Sequence, residues 1–229
     1  MKKVGIIFAM DEELDALKKY LVIEKEYTIF DLTFYEGFIG DSFCILVKSG
    51  IGKVNAARST QILIDNMKVD YIFNIGVAGG VDERLTVGDI VIGERLVQHD
   101  FNLVAFGRER GEIPDIGKFI ESDDYLVKIA EDVVFDDVNT FSGVIASGDI
   151  FCSDVEMSKK IGAKFNTLCV EMEGASIAQV CYLSHIPFLI IRSISDVVNG
   201  NNSITYEEFL LDSSKNVALF MMKILEKLI

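Results

Sequence analysis

Short apolar runs alternate along the chain with stretches whose apolar residues recur every three or four positions. Residues 4–9 read as a short strand, and 11–21 turns helical, with Leu14, Leu17, Lys18 and Leu21 at i, i+3, i+4 and i+7. Residues 27–48 alternate and carry turn residues at Gly37, Gly40 and Asp41, which predicts antiparallel strands. A helix at 52–67, a buried strand at 71–77 closed by Gly79-Gly80, and a strand at 89–97 follow. Residues 98–117 have little periodicity and read as a long polar loop. Beyond it the pattern predicts a helix at 123–134, a strand at 143–148, a helix at 154–163, and an apolar run at 168–170 leading directly into another helix. A strand at 187–195 and an amphipathic helix at 205–228 complete the chain.

Strands alternating with helices predict an α/β fold: a mostly parallel central sheet with helices on its faces. The hairpin-like segment at 27–48 makes that sheet mixed, so the expected architecture is a three-layer α/β/α sandwich. No internal repeat or linker breaks the 229 residues, which predicts one domain over 1–229. A chain of this size buries roughly 70% of the surface its unfolded form exposes, enough for a full core without staples.

Ligands of such sheets bind beyond the carboxyl ends of the strands. Reading those ends collects Met10-Asp11-Glu12-Glu13, Ala78-Gly79-Gly80, Gly148 to Cys152, Glu171-Met172-Glu173 and Asp196, with Arg192 inside the last strand. Each has an ordinary structural reading. The first acidic run suits a helix N-terminus, with Asp11 as N-cap. Glu171 and Glu173 suit an acidic first helical turn, Asp196 suits a turn before Asn199-Gly200, and a buried Arg192 needs a carboxylate partner in any case. Their convergence on one rim is what makes a functional site the better expectation.

Composition narrows the partners. A net charge of −14 argues against nucleic acid and against an anionic membrane surface. Cys44, Cys152, Cys169 and Cys181 have no C-x-x-C spacing and are expected as reduced thiols in a cytoplasmic protein. The opening MKKVGIIFAM is cut short as a leader by Asp11, Glu12 and Glu13, and no run of about 18 apolar residues predicts a membrane span. Gly50-Ile51-Gly52-Lys53 lacks P-loop spacing, and Gly76-x-x-Gly79-Gly80 lacks the dinucleotide fingerprint. His99 and His185 offer no metal spacing, so neither a metal nor a cofactor is expected.

The ordered segments IIFAMDEEL (6–14), KSGIGKVNAA (48–57), NIGVAGG (74–80), VGDIV (87–91), SGDIF (147–151), VEMEGASIAQVC (170–181) and IRSISDVV (191–198) carry a resemblance over essentially the whole chain. It resembles the 5′-methylthioadenosine/S-adenosylhomocysteine nucleosidases of the nucleoside phosphorylase superfamily. The resemblance implies hydrolysis of a purine N-glycosidic bond in a small thio-nucleoside. Asp196 would protonate N7 of the leaving adenine, Glu13 would activate the attacking water, and Arg192 would help hold that site. Met172 and Glu173 would bind ribose, with Glu171 in support. Phe151 would stack on the base and the Cys152 backbone would pair with its edge. Ile51, Phe106, Pro114 and Tyr206 would line the 5′-alkylthio pocket, and Met10, Val77, Gly79 and Leu103 would complete the contacts. Phe106 and Pro114 would reach in from a second subunit, which makes a homodimer the expected assembly.

Those residue types suit the chemistry, because bond cleavage needs a protonated leaving base and a positioned water, which two carboxylates divide. An ordinary Asp has a pKa near 3.9, so only about one in a thousand is protonated at pH 7, a deficit of roughly 4 kcal/mol. Asp196 must therefore sit where the neutral form is favoured, for example beside Val197 and Val198. Two departures from the family pattern are Ile75 and Val77 in place of Thr and Ser, and Cys152 in place of an aliphatic residue. Competing expectations are a phosphorylase, a futalosine-type nucleosidase, and a non-catalytic nucleoside-binding protein.

Overall fold

Apolar side chains on both faces of the strands put the sheet in the interior. In β1 (Lys3–Phe8), Ile6 and Phe8 enter one core while Ile7 enters the other. In β5 (Tyr71–Gly80), Phe73 and Ile75 divide from Ile72 and Ala78 in the same way, as do Leu189 and Ile191 from Ile190 and Ile194 in β10 (Phe188–Val197). This is the period-2 alternation of a strand covered on both faces, which is why these stretches read as unbroken apolar runs. The computed structural model describes residues 2–135, 138–197 and 202–228, the side chains of 202–208 excepted. Tyr206, Val198, Asn199 and Gly200, invoked above, therefore lie outside the described side chains or residues.

The expected mixed α/β architecture is present. Strand β1 runs parallel to both β4 (Ser42–Lys48) and β5, and β2 (Val22–Ile29), β3 (Leu32–Ile39) and β4 form the antiparallel meander. Beyond β5 the sheet does more than extend. β5 pairs in parallel with β10, β10 antiparallel with β6 (Ile90–Gln98), β6 in parallel with β8 (Thr140–Ser147), and β8 in parallel with β9 (Thr167–Glu171). β9 then returns to β5 through Gly79–Val170 and Gly80–Cys169, so five strands close on themselves. The two-residue β7 (Ile120–Glu121) adds to β6.

Helices α1 (Asp11–Lys18), α3 (Asp124–Glu131) and α6 (Asn202–Lys227) contribute to one core, where Leu17, Leu126 and Phe220 meet Phe73 and Ile191. The α6 residues Val217, Ala218, Phe220, Met221, Ile224 and Leu225 form the i, i+3, i+4, i+7 stripe of an amphipathic helix. On the opposite face α2 (Lys53–Ile62), prolonged by a π turn at Leu63–Met67, packs with α5 (Gly174–Ser184). Helix α4 (Val155–Phe165) adds Ile161 and Phe165 to a smaller cluster with Val97, Val144 and Val170. A fully buried Leu or Phe here contributes about 1.5–3 kcal/mol relative to its exposed state.

Four local expectations change. Met10, not Asp11, is the N-cap of α1, while the exposed Asp11 pairs with Lys48 at 2.7 Å. Ala78-Gly79-Gly80 does not follow β5 but ends it, with Gly79 and Gly80 paired on both sides. Asp196 lies inside β10 instead of after it. Strand β2 begins at Val22, earlier than the alternation suggests, because Val22 to Lys25 is an exposed, charged sheet edge with no buried face to pattern it.

Candidate active site

Glu13 is positioned by the turn from β1 into α1. At the third helical position its carboxylate folds back, Oε2 accepting the N–H groups of Ala9 at 2.8 Å and Met10 at 3.1 Å. These are donors that a helix start leaves unsatisfied. Oε1 accepts the N–H of Val77 at 3.0 Å, tying α1 to β5. The approach is so close that a Cβ at Gly76 would come within 2.4 Å of that oxygen and would push the carboxylate off its N–H donors. Burial pushes the Glu13 pKa up, against the opposing Arg192 charge and the three N–H bonds.

Behind the site Arg192 is 1% exposed. Its guanidinium donates to the Asn74 carbonyl at 3.2 Å, to the Ile191 carbonyl at 3.0 Å, to the Asn74 side-chain oxygen and to Glu171 Oε2. Glu171 also accepts from Ser147 Oγ, from the Gly174 N–H at 2.8 Å and from the Glu173 N–H at 3.1 Å. It therefore acts both as counter-ion to Arg192 and as the start of α5, the two structural readings available from sequence. Glu173 is different. Oε1 accepts the Gly52 N–H at 2.8 Å, and Oε2 stands 3.9 Å from the Arg192 guanidinium. Burial first, then the Glu171 charge, pushes its pKa up to about 8. Three buried carboxylates thus share one guanidinium, which leaves an excess of negative charge that a low-dielectric interior relieves by holding protons.

Asp196 reaches the same place by an irregularity in β10. Ile194 pairs with Ala78 but Asp196 pairs with Gly79, so Ser195 is an extra residue. The bulge turns Asp196 to the face opposite Ile194, where regular spacing would have sent both into the core. Ser195 Oγ donates to Asp196 Oδ1 at 2.9 Å. Burial raises the Asp196 pKa, with the serine bond opposing it. A Cβ at Gly79 would lie 3.3 Å from Asp196 Oδ2, in contact with the acid.

A cavity of about 100 Å³ joins these groups. Met10, Glu13, Ile51, Val77, Gly79, Phe151, Glu171, Met172, Glu173 and Asp196 line it. Ala78 also lines it, as do Ala9, Val170 and Ser195, which were not singled out in the sequence. Ile51 and Phe151 stay half exposed at the mouth. A wider hollow of about 520 Å³ beside α4 holds Glu83, Arg84 and Lys159, all exposed charges, so size does not mark the chemistry.

Other sequence candidates fall outside the cavity walls. Arg192 lies beneath the cavity, held by Glu171 and Asn74. Cys152 follows Phe151 but packs toward the cluster of Val97 and Val144, and is only half buried, unlike Cys44, Cys169 and Cys181. Leu103, Phe106 and Pro114 sit on the 98–117 loop away from the cavity of their own chain, Phe106 at 82% exposed. Asn74, which the sequence reading passed over, carries Arg192 and donates to the Ile7 carbonyl at 3.0 Å. Its signal was an amide in the middle of the buried strand YIFNIG.

A sequence profile of the phosphorylase superfamily matches residues 3–229. The chain belongs to that superfamily. It is 42% identical over 230 residues to the 5′-methylthioadenosine/S-adenosylhomocysteine nucleosidase of Halalkalibacterium halodurans, with all of both chains covered. The S-adenosylhomocysteine nucleosidase of Streptococcus pyogenes, solved with 5-methylthiotubericidin, superposes with a TM-score of 0.94 at 36% identity, covering 100% of this chain and 98% of that one. A futalosine hydrolase of Helicobacter pylori superposes with a TM-score of 0.94 at 32% identity, covering 99% and 98%. Within the phosphorylase superfamily, the acids around this cavity are the features of this chain that chemistry must explain.

Proposed function

We propose that this chain hydrolyses the N-glycosidic bond of 5′-methylthioadenosine and S-adenosylhomocysteine, releasing adenine and the 5′-thio-ribose. The observation that carries the reading is that Glu13 and Asp196, two acids whose pKa values burial raises, open onto one cavity. Asp196 delivers its proton to N7 as the bond between N9 and C1′ breaks and its electron pair passes to the purine. Glu13 takes the proton of a water whose oxygen attacks C1′. Both acids then return to their starting states by exchange with solvent. Glu173 holds the ribose hydroxyls beside Met172, and Phe151 covers the base. The Cys152 backbone pairs with the base edge, and Ile51 with Tyr206 flanks the 5′ group.

A phosphorylase reading is disfavoured electrostatically. Among the described residues the ionisable groups lining the cavity are Glu13, Glu171, Glu173 and Asp196, all acids that offer phosphate no cationic ligand, and Arg192 behind them is engaged by Glu171. The likeness to a futalosine hydrolase keeps a futalosine-type nucleoside as the second reading. A homodimer is part of the proposal, with Phe106 and Pro114 completing the 5′ pocket of a second copy and Leu103 as a further substrate contact. Supporting it, Ile51, Val54, Val104 and Phe106 expose apolar surface around the cavity mouth and the 98–117 loop. The three buried thiols Cys44, Cys169 and Cys181 suit a cytoplasmic enzyme.

Released base and sugar, measured with methylthioadenosine, S-adenosylhomocysteine, inosine and aminodeoxyfutalosine with and without phosphate, test the reading. Phosphate-independent adenine release from the thio-nucleosides is expected. Phosphate dependence, preference for aminodeoxyfutalosine, or tight binding without release would each replace it.

A further inference from the structure

A partly buried polar ring lies just outside the cavity, closed by residues to which the proposed chemistry gives no part. Lys53 Nζ donates to Asp100 Oδ1 at 2.7 Å, Asp149 N–H donates to Asp100 Oδ2 at 3.0 Å, and Lys53 N–H donates to Asp149 Oδ1 at 2.8 Å. The Lys53 and Asp100 side chains are only 18% and 19% exposed. Each of the three residues belongs to a different segment. Lys53 follows Gly50-Ile51-Gly52, Asp100 follows β6, and Asp149 precedes Ile150 and Phe151. Lys53 Nζ also donates to Gln98 Oε1 at 3.1 Å, and Gln98 in turn donates to Gln179 of α5 at 2.6 Å. One residue before Lys53, the Gly52 N–H holds Glu173.

Helix physics makes the lysine notable. Lys53 is the first residue of α2, where the macrodipole disfavours a cation and where no acidic residue of the first turn offsets it. The ammonium is stabilised instead by carboxylate and amide oxygens from β6 and its continuation, so the ring and not the helix accounts for the residue. Packing holds the same junction from the other side. A Cβ at Gly148 would fall 2.3 Å from Nε2 of the buried His99, so the chain before Asp149 packs closely against that imidazole.

We infer that Lys53 is a positioning residue: through Asp100 and Asp149 it fixes the Ile51 loop and the Phe151 loop at the separation a purine nucleoside requires. The inference rests on the proposed function, since it is the base and sugar that those two loops would grip. Lys53 touches neither Glu13 nor Asp196, so its loss acts on the binding of base and ribose more than on the bond-breaking step.

Lys53→Met keeps the stem and the backbone donor but removes the ammonium. We expect about a tenfold or larger rise in KM for the thio-nucleoside and in Kd for adenine by calorimetry, with kcat within about threefold of wild type. Lys53→Arg should restore most of the affinity. Asp100→Asn should weaken binding by itself and add little on top of Lys53→Met, because both break one ring. A Lys53→Met protein with unchanged KM and adenine Kd overturns the inference, as does a fall in kcat at constant KM or full additivity of the two losses. If Lys53→Met does not fold, by circular dichroism and melting, Asp100→Asn against wild type decides on the same two readouts. Wild-type protein that neither binds adenine nor releases it would instead remove the functional reading.

Discussion

At the scale of single residues, Asp196 carries the most consequence. Under the proposed mechanism Asp196 acts in its protonated form, and it is held where the charged form is disfavoured, so the folded state bears that cost. Asp196→Asn is expected to lower kcat by about a thousandfold or more while leaving nucleoside binding within about tenfold. Wild-type-like kcat would refute its role. The same substitution bears on stability. Burial raises the folded pKa, so the stabilising contribution of the protonated acid is complete below the ordinary carboxylate pKa and is lost as pH rises through the folded value. The amide does not titrate, so the Tm of Asp196→Asn relative to wild type should climb as pH rises above about 4, the ordinary carboxylate value. A difference that stays flat or reverses would place the acid in a solvated setting. The charged residues Glu13, Glu171, Glu173, Arg192 and Asp196 were legible as polar groups at or near strand ends, but Asn74 and Ser147 were not, because their importance comes from Arg192 and Glu171 across the sheet.

At the scale of elements, the start of α5 and the bulge in β10 decide how the site is built. Glu171 accepts two backbone N–H groups at the helix start and neutralises Arg192, so Glu171→Gln strands a buried guanidinium. Breaking such a pair costs about 3–5 kcal/mol, and the lower end is expected because Glu173, 3.9 Å away, can take over part of the charge. Urea unfolding measures this, and a loss below about 1 kcal/mol would mean that Arg192 is adequately paired without Glu171. Periodicity located nearly every strand and helix, since their apolar faces are written into the order of residues. It ended β5 at Val77 because Gly79 and Gly80 have poor strand propensity. What holds them extended is pairing with β9 and β10. The bulge at Ser195 left no trace in the sequence, because an extra residue is defined only by its partner strand.

At the scale of the whole molecule, the exposed apolar surface on the 98–117 loop bears on assembly. Phe106 is 82% exposed, so replacing it should leave the folded chain within about 0.5 kcal/mol of wild type. Phe106→Glu is expected to shift the sedimentation profile from dimer toward monomer and to raise KM for thio-nucleosides. An unchanged dimer with unchanged KM would remove this loop from the proposed interface. Taken alone, the order of residues determined the alternation of strands and helices, the apolar faces and the set of acids near strand ends, because those depend on spacing along the chain. Closure of five strands through β9, the face on which Asp196 emerges, the choice of Glu171 over Glu173 as partner for Arg192 and the ring around Lys53 were decided only by tertiary structure. Each depends on a contact between segments far apart in sequence, whose geometry no local pattern encodes.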